Sequence, residues 1–113
     1  MNSCVKGKVG EREAAHAWGE TFGVSMIRGQ QHAGGADSPD IKGQPGVHIE
    51  VKRVEKLNLD KAVEQSVSEA GAGEVPIVLH RRNRQGWLVT VRLSDLPRLA
   101  EIVRPDFAQG GAA

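Results

Sequence analysis

The sequence predicts an α/β sandwich: a mixed central β-sheet flanked by α-helices, in the order αβββαββα. Three observations predict it. Apolar residues recur at helical spacing near both ends and once in the middle, short β-branched runs fall between them, and "QPG" at 44–46 folds residues 39–53 into a hairpin. A chain of 113 residues with 39% apolar and 26% charged residues suits one domain, here placed at 1–103, with 104–113 as a flexible tail.

The first helix is read from "GEREAAHAWGETFG", where Ala14, Trp18 and Phe22 recur every four residues, Glu13, His16 and Glu20 form the polar face, and Gly23 closes the end. "VSMIR" at 24–28 is a short strand, and the glycine-rich "GQQHAGGADS" after it is a long loop of the kind that faces substrate. In the hairpin, Pro45 takes a type I turn position and Gly46 the left-handed one. That register pairs Ile41 with Ile49 and Asp40 with Glu50. Ile41, Ile49 and Val51 then face the core, while Asp40, Glu50 and Lys52 share the other side.

A second helix follows in "NLDKAVEQSVSEAG", with Asn58 as N-cap and Ala62, Val63, Val67 and Ala70 as its apolar side. "VPIVLH" and "GWLVTV" are strands around a basic loop, and "SDLPRLAEIV" is a last helix with Ser94 as N-cap and Leu96, Leu99 and Val103 as its buried stripe.

Composition excludes some function classes and permits others. The lone Cys4 cannot form an internal disulfide, and no run is apolar enough for a membrane span or a signal peptide, so a reducing cytoplasm is expected. Net charge is only +1, yet "HRRNRQ" at 80–85 carries three arginines and no acid, which permits nucleic acid as a partner. The histidines at 16, 32, 48 and 80 lack zinc-site spacing.

Chemistry concentrates in "SPDIKGQPGVHIEVKR" (38–53), where Pro-Asp is followed after nine residues by Glu-x-Lys. Two adjacent carboxylates, Asp40 and Glu50, repel each other unless a cation lies between them. They make a hard-oxygen site for Mg²⁺, with Mn²⁺ as a substitute. Such an ion polarises a phosphodiester and acidifies water, and Lys52 adds a positive charge for the transition state. Asp40-Ile-Lys42 is itself a D-x-K and "RPD" recurs at 104–106, but no E-x-K follows Asp106 and Lys42 adjoins the turn. Asp37 either replaces Asp40 or stabilises the loop.

Several ordered motifs together resemble the PD-(D/E)XK nuclease superfamily, and within it the small Holliday junction resolvases of archaeal type and their phage-encoded relatives. They are "KGKVGERE" (6–13), Arg28 with Gly34 and Gly35, "SPDI", and "IEVKR", spanning roughly the first 90 residues. The resemblance implies a restriction-endonuclease-like fold and a Mg²⁺-dependent endonuclease for branched DNA, working as a homodimer. By the same resemblance Glu11 matches a first-helix acid near the metal, Asp40 and Glu50 the metal carboxylates, the Val51 carbonyl a backbone ligand and Lys52 the catalytic lysine. Gln65 and His48 are auxiliary candidates, the latter by touching phosphate or by a structural role. Arg28, Lys42, Arg53, Arg81, Arg82 and Arg84 are the candidates for DNA contact.

Each of these residues also has a plainer reading. Glu50 and Lys52 fit a solvated strand face, Glu11 a first-turn acid favoured by the helix dipole, Arg81 to Arg84 a solvated hairpin tip, and Trp87 core or interface. The chain departs from the resolvases in "GQQHAGGADS", where those usually carry Ser before the glycines. Two rivals therefore stand beside the junction enzyme: a phage nicking enzyme or other nuclease acting on linear or single-stranded DNA, and a noncatalytic DNA-binding module of the same fold.

Overall fold

In a computed structural model, which describes residues 3–29 and 39–104, the elements are α1 (Ser3–Phe22), β1 (Ile27–Arg28), β2 (Ile41–Lys42), β3 (Val47–Arg53), α2 (Leu59–Glu69), β4 (Val75–Arg81), β5 (Leu88–Val91) and α3 (Leu96–Val103), the last entered through a 3-10 turn at Leu93–Asp95. The order is the αβββαββα of the sequence reading. Most of the long loop, with Asp37, and the tail beyond Arg104 lie outside the described residues.

The five strands form one mixed sheet in the order β1-β2-β3-β4-β5. Its outer pairs are antiparallel, and β3 and β4 are parallel because α2 carries the chain across between them. Central strands are covered on both faces, and β3 and β4 accordingly have five consecutive buried residues each. The core lies on one face, where Val47, Ile49 and Val51 meet Val75, Ile77 and Leu79 beneath Ala14, Ala15 and Trp18 of α1 and Leu99 of α3. The opposite face is covered by α2, whose Ser66 hydroxyl donates to the Ile77 carbonyl at 2.9 Å.

Several boundaries differ from the sequence expectation for local reasons. Helix α1 begins at Ser3, ahead of the apolar repeat, and ends as expected on Gly23 at φ +69°. The amides of Gly23 and Val24 both bond to the Gly19 carbonyl, at 2.8 and 3.3 Å, so the chain is still closing the helix where a strand was expected. The hairpin turn closes between the Val47 amide and the Gln44 carbonyl, with Gly46 as the third turn residue at φ +86°, which is the type II and not the type I arrangement.

Asn58 caps α2 through a 3.1 Å bond from the Lys61 amide, as its side chain predicts. The buried line of α2, however, is Ala62 and Ser66, and Val67 is exposed. In α3 the buried residue is Leu99 while Leu96 is exposed, and Ser94 does not cap because the 3-10 turn moves the helix start to Leu96.

Candidate metal and nuclease centre

Alternation along β3 turns His48, Glu50 and Lys52 toward α2 while Ile49 and Val51 face α1. This face is not open to solvent at its centre, contrary to the expectation for a charged strand face: Glu50 is 1% exposed and His48 0%. Helix α2 covers them with Gln65, whose amide nitrogen donates to Glu50 Oε2 at 3.2 Å and whose oxygen accepts from Lys52 Nζ at 3.2 Å. One amide thus ties the acid to the lysine.

Asp40 arrives by a different route from the one its register implied. Ile41 pairs with Ile49 as expected, but the Asp40 amide also addresses Ile49, donating to its carbonyl at 2.9 Å. Two residues facing one is the count of a β-bulge, a feature that re-aims side chains beside active sites. The Asp40 carboxylate accordingly receives the Val51 amide at 2.7 Å. Its charge acts on both Glu50 and Glu11, so the three acids form one electrostatic group.

Glu11 projects from α1 and is held by Arg28 Nε at 2.9 Å. Helix α1 comes close to β3 here, since a Cβ on Gly10 would stand 3.1 Å from Arg53 Cβ. Burial raises the Glu11 pKa, and Asp40 adds to the rise. Glu50 is pushed up to about 7, first by burial and further by the carboxylates of Glu69 and Asp40, against the hydrogen bond from His48. Burial disfavours the His48 imidazolium, but the Glu50 hydrogen bond and the charges of Glu50, Glu74 and Glu69 outweigh it and raise its pKa.

His48 is too deeply buried to touch a phosphate, as one reading had it. Its Nε2 lies 3.0 Å from Glu50 Oε1. Glu69 and Glu74 complete its surroundings, and neither was singled out from the sequence. Glu69 follows Gln65 by one helical turn and meets its amide at 3.5 Å, a spacing that could have drawn attention to it.

The candidate DNA-contact residues divide. Lys42, Arg82 and Arg84 are exposed, Arg84 at φ +63° in the β4–β5 turn. Arg28 is occupied by Glu11, Arg53 by Glu13 and Asn83, and the Arg81 guanidinium sits 5.8 Å from the Trp87 ring centre. A groove of about 760 Å³ opens beside Lys52 and Gln65 with Asn58 and Lys61 on its wall. A second, of about 510 Å³, is lined by His80, Arg81, Arg82 and Trp87 and shares Val54 and Leu57 with the first.

No protein-family model and no curated protein matches the chain. Among solved structures it is similar to Hjc, a Holliday junction resolvase from the archaeal hyperthermophile Archaeoglobus fulgidus, with 30% identity over 76% of this chain and 72% of that one and a TM-score of 0.55. The chain belongs to the archaeal-type, resolvase-like branch of the PD-(D/E)XK family. Membership agrees with the mixed five-stranded sheet and supports a nuclease of this fold. No described helix is long and apolar enough to cross a membrane.

Divalent metal is usual for this resolvase-like fold, and among the described residues the donors spaced to hold one ion are His48, Glu50 and Glu69. Asp40, Glu50 and Glu11 offer hard oxygens, and the charge of Asp40 raises the proton affinity of both Glu50 and Glu11.

Proposed function

We propose that the protein is a metal-dependent endodeoxyribonuclease that cuts branched DNA, four-way junctions above all. One observation carries the reading: Glu50 and Lys52 share one face of β3, are bridged by Gln65, and have Asp40 held at the Val51 amide with its charge acting on Glu50. Asp40, Glu50, the Val51 carbonyl and Glu11 would hold a Mg²⁺ or Mn²⁺ ion. When bound, it supplies charge for the phosphodiester and acidifies water.

The chain's own residues do the rest. Gln65 holds the Lys52 ammonium beside Glu50, where it can neutralise charge that builds on the phosphate. Arg28 fixes Glu11, and the exposed Lys42, Arg82 and Arg84 attract the backbone without reading sequence. Two symmetric cuts in a junction call for two such centres, hence a C2 homodimer.

The test compares a four-way junction, a flap and a linear duplex with and without Mg²⁺. Paired junction cuts that need the metal are expected. Equal cutting of linear duplex favours the general nuclease, and metal-replete protein that binds all three but cuts none favours the noncatalytic module.

A further inference from the structure

Beside Glu50 lies a set of donors that the nuclease reading leaves unused. His48 Nε2 is 3.0 Å from Glu50 Oε1 and 4.0 Å from Glu69 Oε2. The Gln65 amide approaches the other oxygen of each carboxylate, at 3.2 Å for Glu50 and 3.5 Å for Glu69. A single amide therefore turns the remaining oxygens of both acids toward one imidazole nitrogen. One donor atom from each of His48, Glu50 and Glu69 falls within 4.8 Å of the others. Around a six-coordinate ion with bonds of about 2.1 Å, adjacent donors stand about 3 Å apart and opposite ones about 4.2 Å, close to the 3.0 and 4.0 Å from His48 Nε2 to the two carboxylates.

An independent observation points to a ligand. The other ring nitrogen, Nδ1, is buried without a hydrogen-bond partner and lies 3.9 Å from Glu74 Oε1. An imidazole that binds metal through one nitrogen typically presents its second N–H to a carboxylate, and Glu74, whose Oε1 now accepts the Gly71 amide at 2.6 Å, is a small side-chain shift from that place. Access exists too: His48 and Glu50 form a closed floor, while the side chains of Glu69 and Glu74 at the rim are 22% and 35% exposed.

We propose that His48, Glu50 and Glu69 form a second divalent-cation site, for a transition metal such as Mn²⁺, Co²⁺ or Zn²⁺, with Glu74 orienting His48. Imidazole in the donor set favours these ions over Mg²⁺, which prefers oxygen alone. The site rests on the nuclease reading only in sharing Glu50 with it. An ion here would hold Glu50 and the last turn of α2 in one arrangement.

Removing the Asp40 centre isolates the second site. Asp40→Asn protein is titrated with Co²⁺ by calorimetry and visible absorption, then compared with Asp40→Asn/Glu69→Gln and Asp40→Asn/His48→Gln. One Co²⁺ per chain is expected, at least tenfold weaker in both double variants and not displaced by equimolar Mg²⁺. Glu69 is at the rim, so its variant reports binding even where the buried His48 variant fails to fold. No Co²⁺ binding by Asp40→Asn, or binding indifferent to Glu69→Gln, overturns the site. Wild-type crystals soaked in Zn²⁺ must show an anomalous peak at His48 Nε2, and a peak only elsewhere is equally fatal. Junction cutting without this binding sinks the second site alone, whereas binding without cutting sinks the nuclease reading alone.

Discussion

The two faces of β3 obey the same alternation and meet opposite fates. On one, Ile49 and Val51 lie under Ala14, Ala15 and Trp18, a dry contact that stabilises the fold by removing apolar surface from water. On the other, His48 and Glu50 are just as buried but lie beneath Gln65, Ser66 and Glu69. Burial without an apolar partner raises the proton affinity of Glu50 and makes a cation welcome. The difference teaches that the strand's pattern sets which residues share a face, and the covering helix decides whether that face is core or chemistry.

The comparison breaks most visibly at the chemical face. Glu50→Ala or Lys52→Ala should lower junction cleavage by about a thousandfold or more while DNA binding persists, and metal-dependent cutting at the wild-type rate by either variant would remove that residue from the reaction.

The apolar face should respond in stability instead. Ile49→Ala is expected to cost about 2–5 kcal/mol, read as a lowered denaturation midpoint. Glu50→Gln should cost far less in metal-free protein at pH 8, and a loss there equal to that of Ile49→Ala would make the two faces alike.

Protonation sharpens the contrast further. Glu50 folds with a pKa of about 7 against 4.5 as its ordinary value, so the folded state holds the extra proton within that window. The associated stability is fully present below about pH 4.5 and is lost as pH rises through 7. His48, also raised, acts in the same direction above its ordinary value. Metal-free protein should therefore melt about 5 °C or more lower at pH 8 than at pH 5, and Mn²⁺ should reverse the loss. A melting point that climbs over this range would contradict the buried-acid account.

The smallest effects belong to the exposed arginines. Arg82→Ala and Arg84→Ala should weaken binding to every DNA sequence alike and each flatten its salt dependence by about one unit of slope. An unchanged slope in both would return that turn to a plain solvated tip.

Much of this was legible because it is local. The "QPG" turn needs a glycine at positive φ, Asn58 needs only the amide three residues on, and "IEVKR" alternates whatever lies above it. The bulge at Asp40 was not legible, since it depends on the Ile49 carbonyl in the neighbouring strand and on the Val51 amide that then takes the carboxylate. Nor was the rotation of α2. Its sequence offers Ala62, Val63, Val67 and Ala70 as an apolar side, of which Ala62 is buried, but the polar face of β3 selects Ser66 in place of Val67, small enough to bring the helix close and to place Gln65 and Glu69 over Glu50.

By itself the sequence determined the order of elements, the hairpin and the sharing of one strand face by acid and lysine, because each follows from backbone periodicity and turn sterics within a few residues. Tertiary structure alone decided that Glu50 is sealed beneath α2, that a bulge sets the Asp40 carboxylate on the Val51 amide and that His48, Glu69 and Glu74 gather around Glu50. Those outcomes depend on which surfaces exclude water from one another, and that is a property of the packed chain.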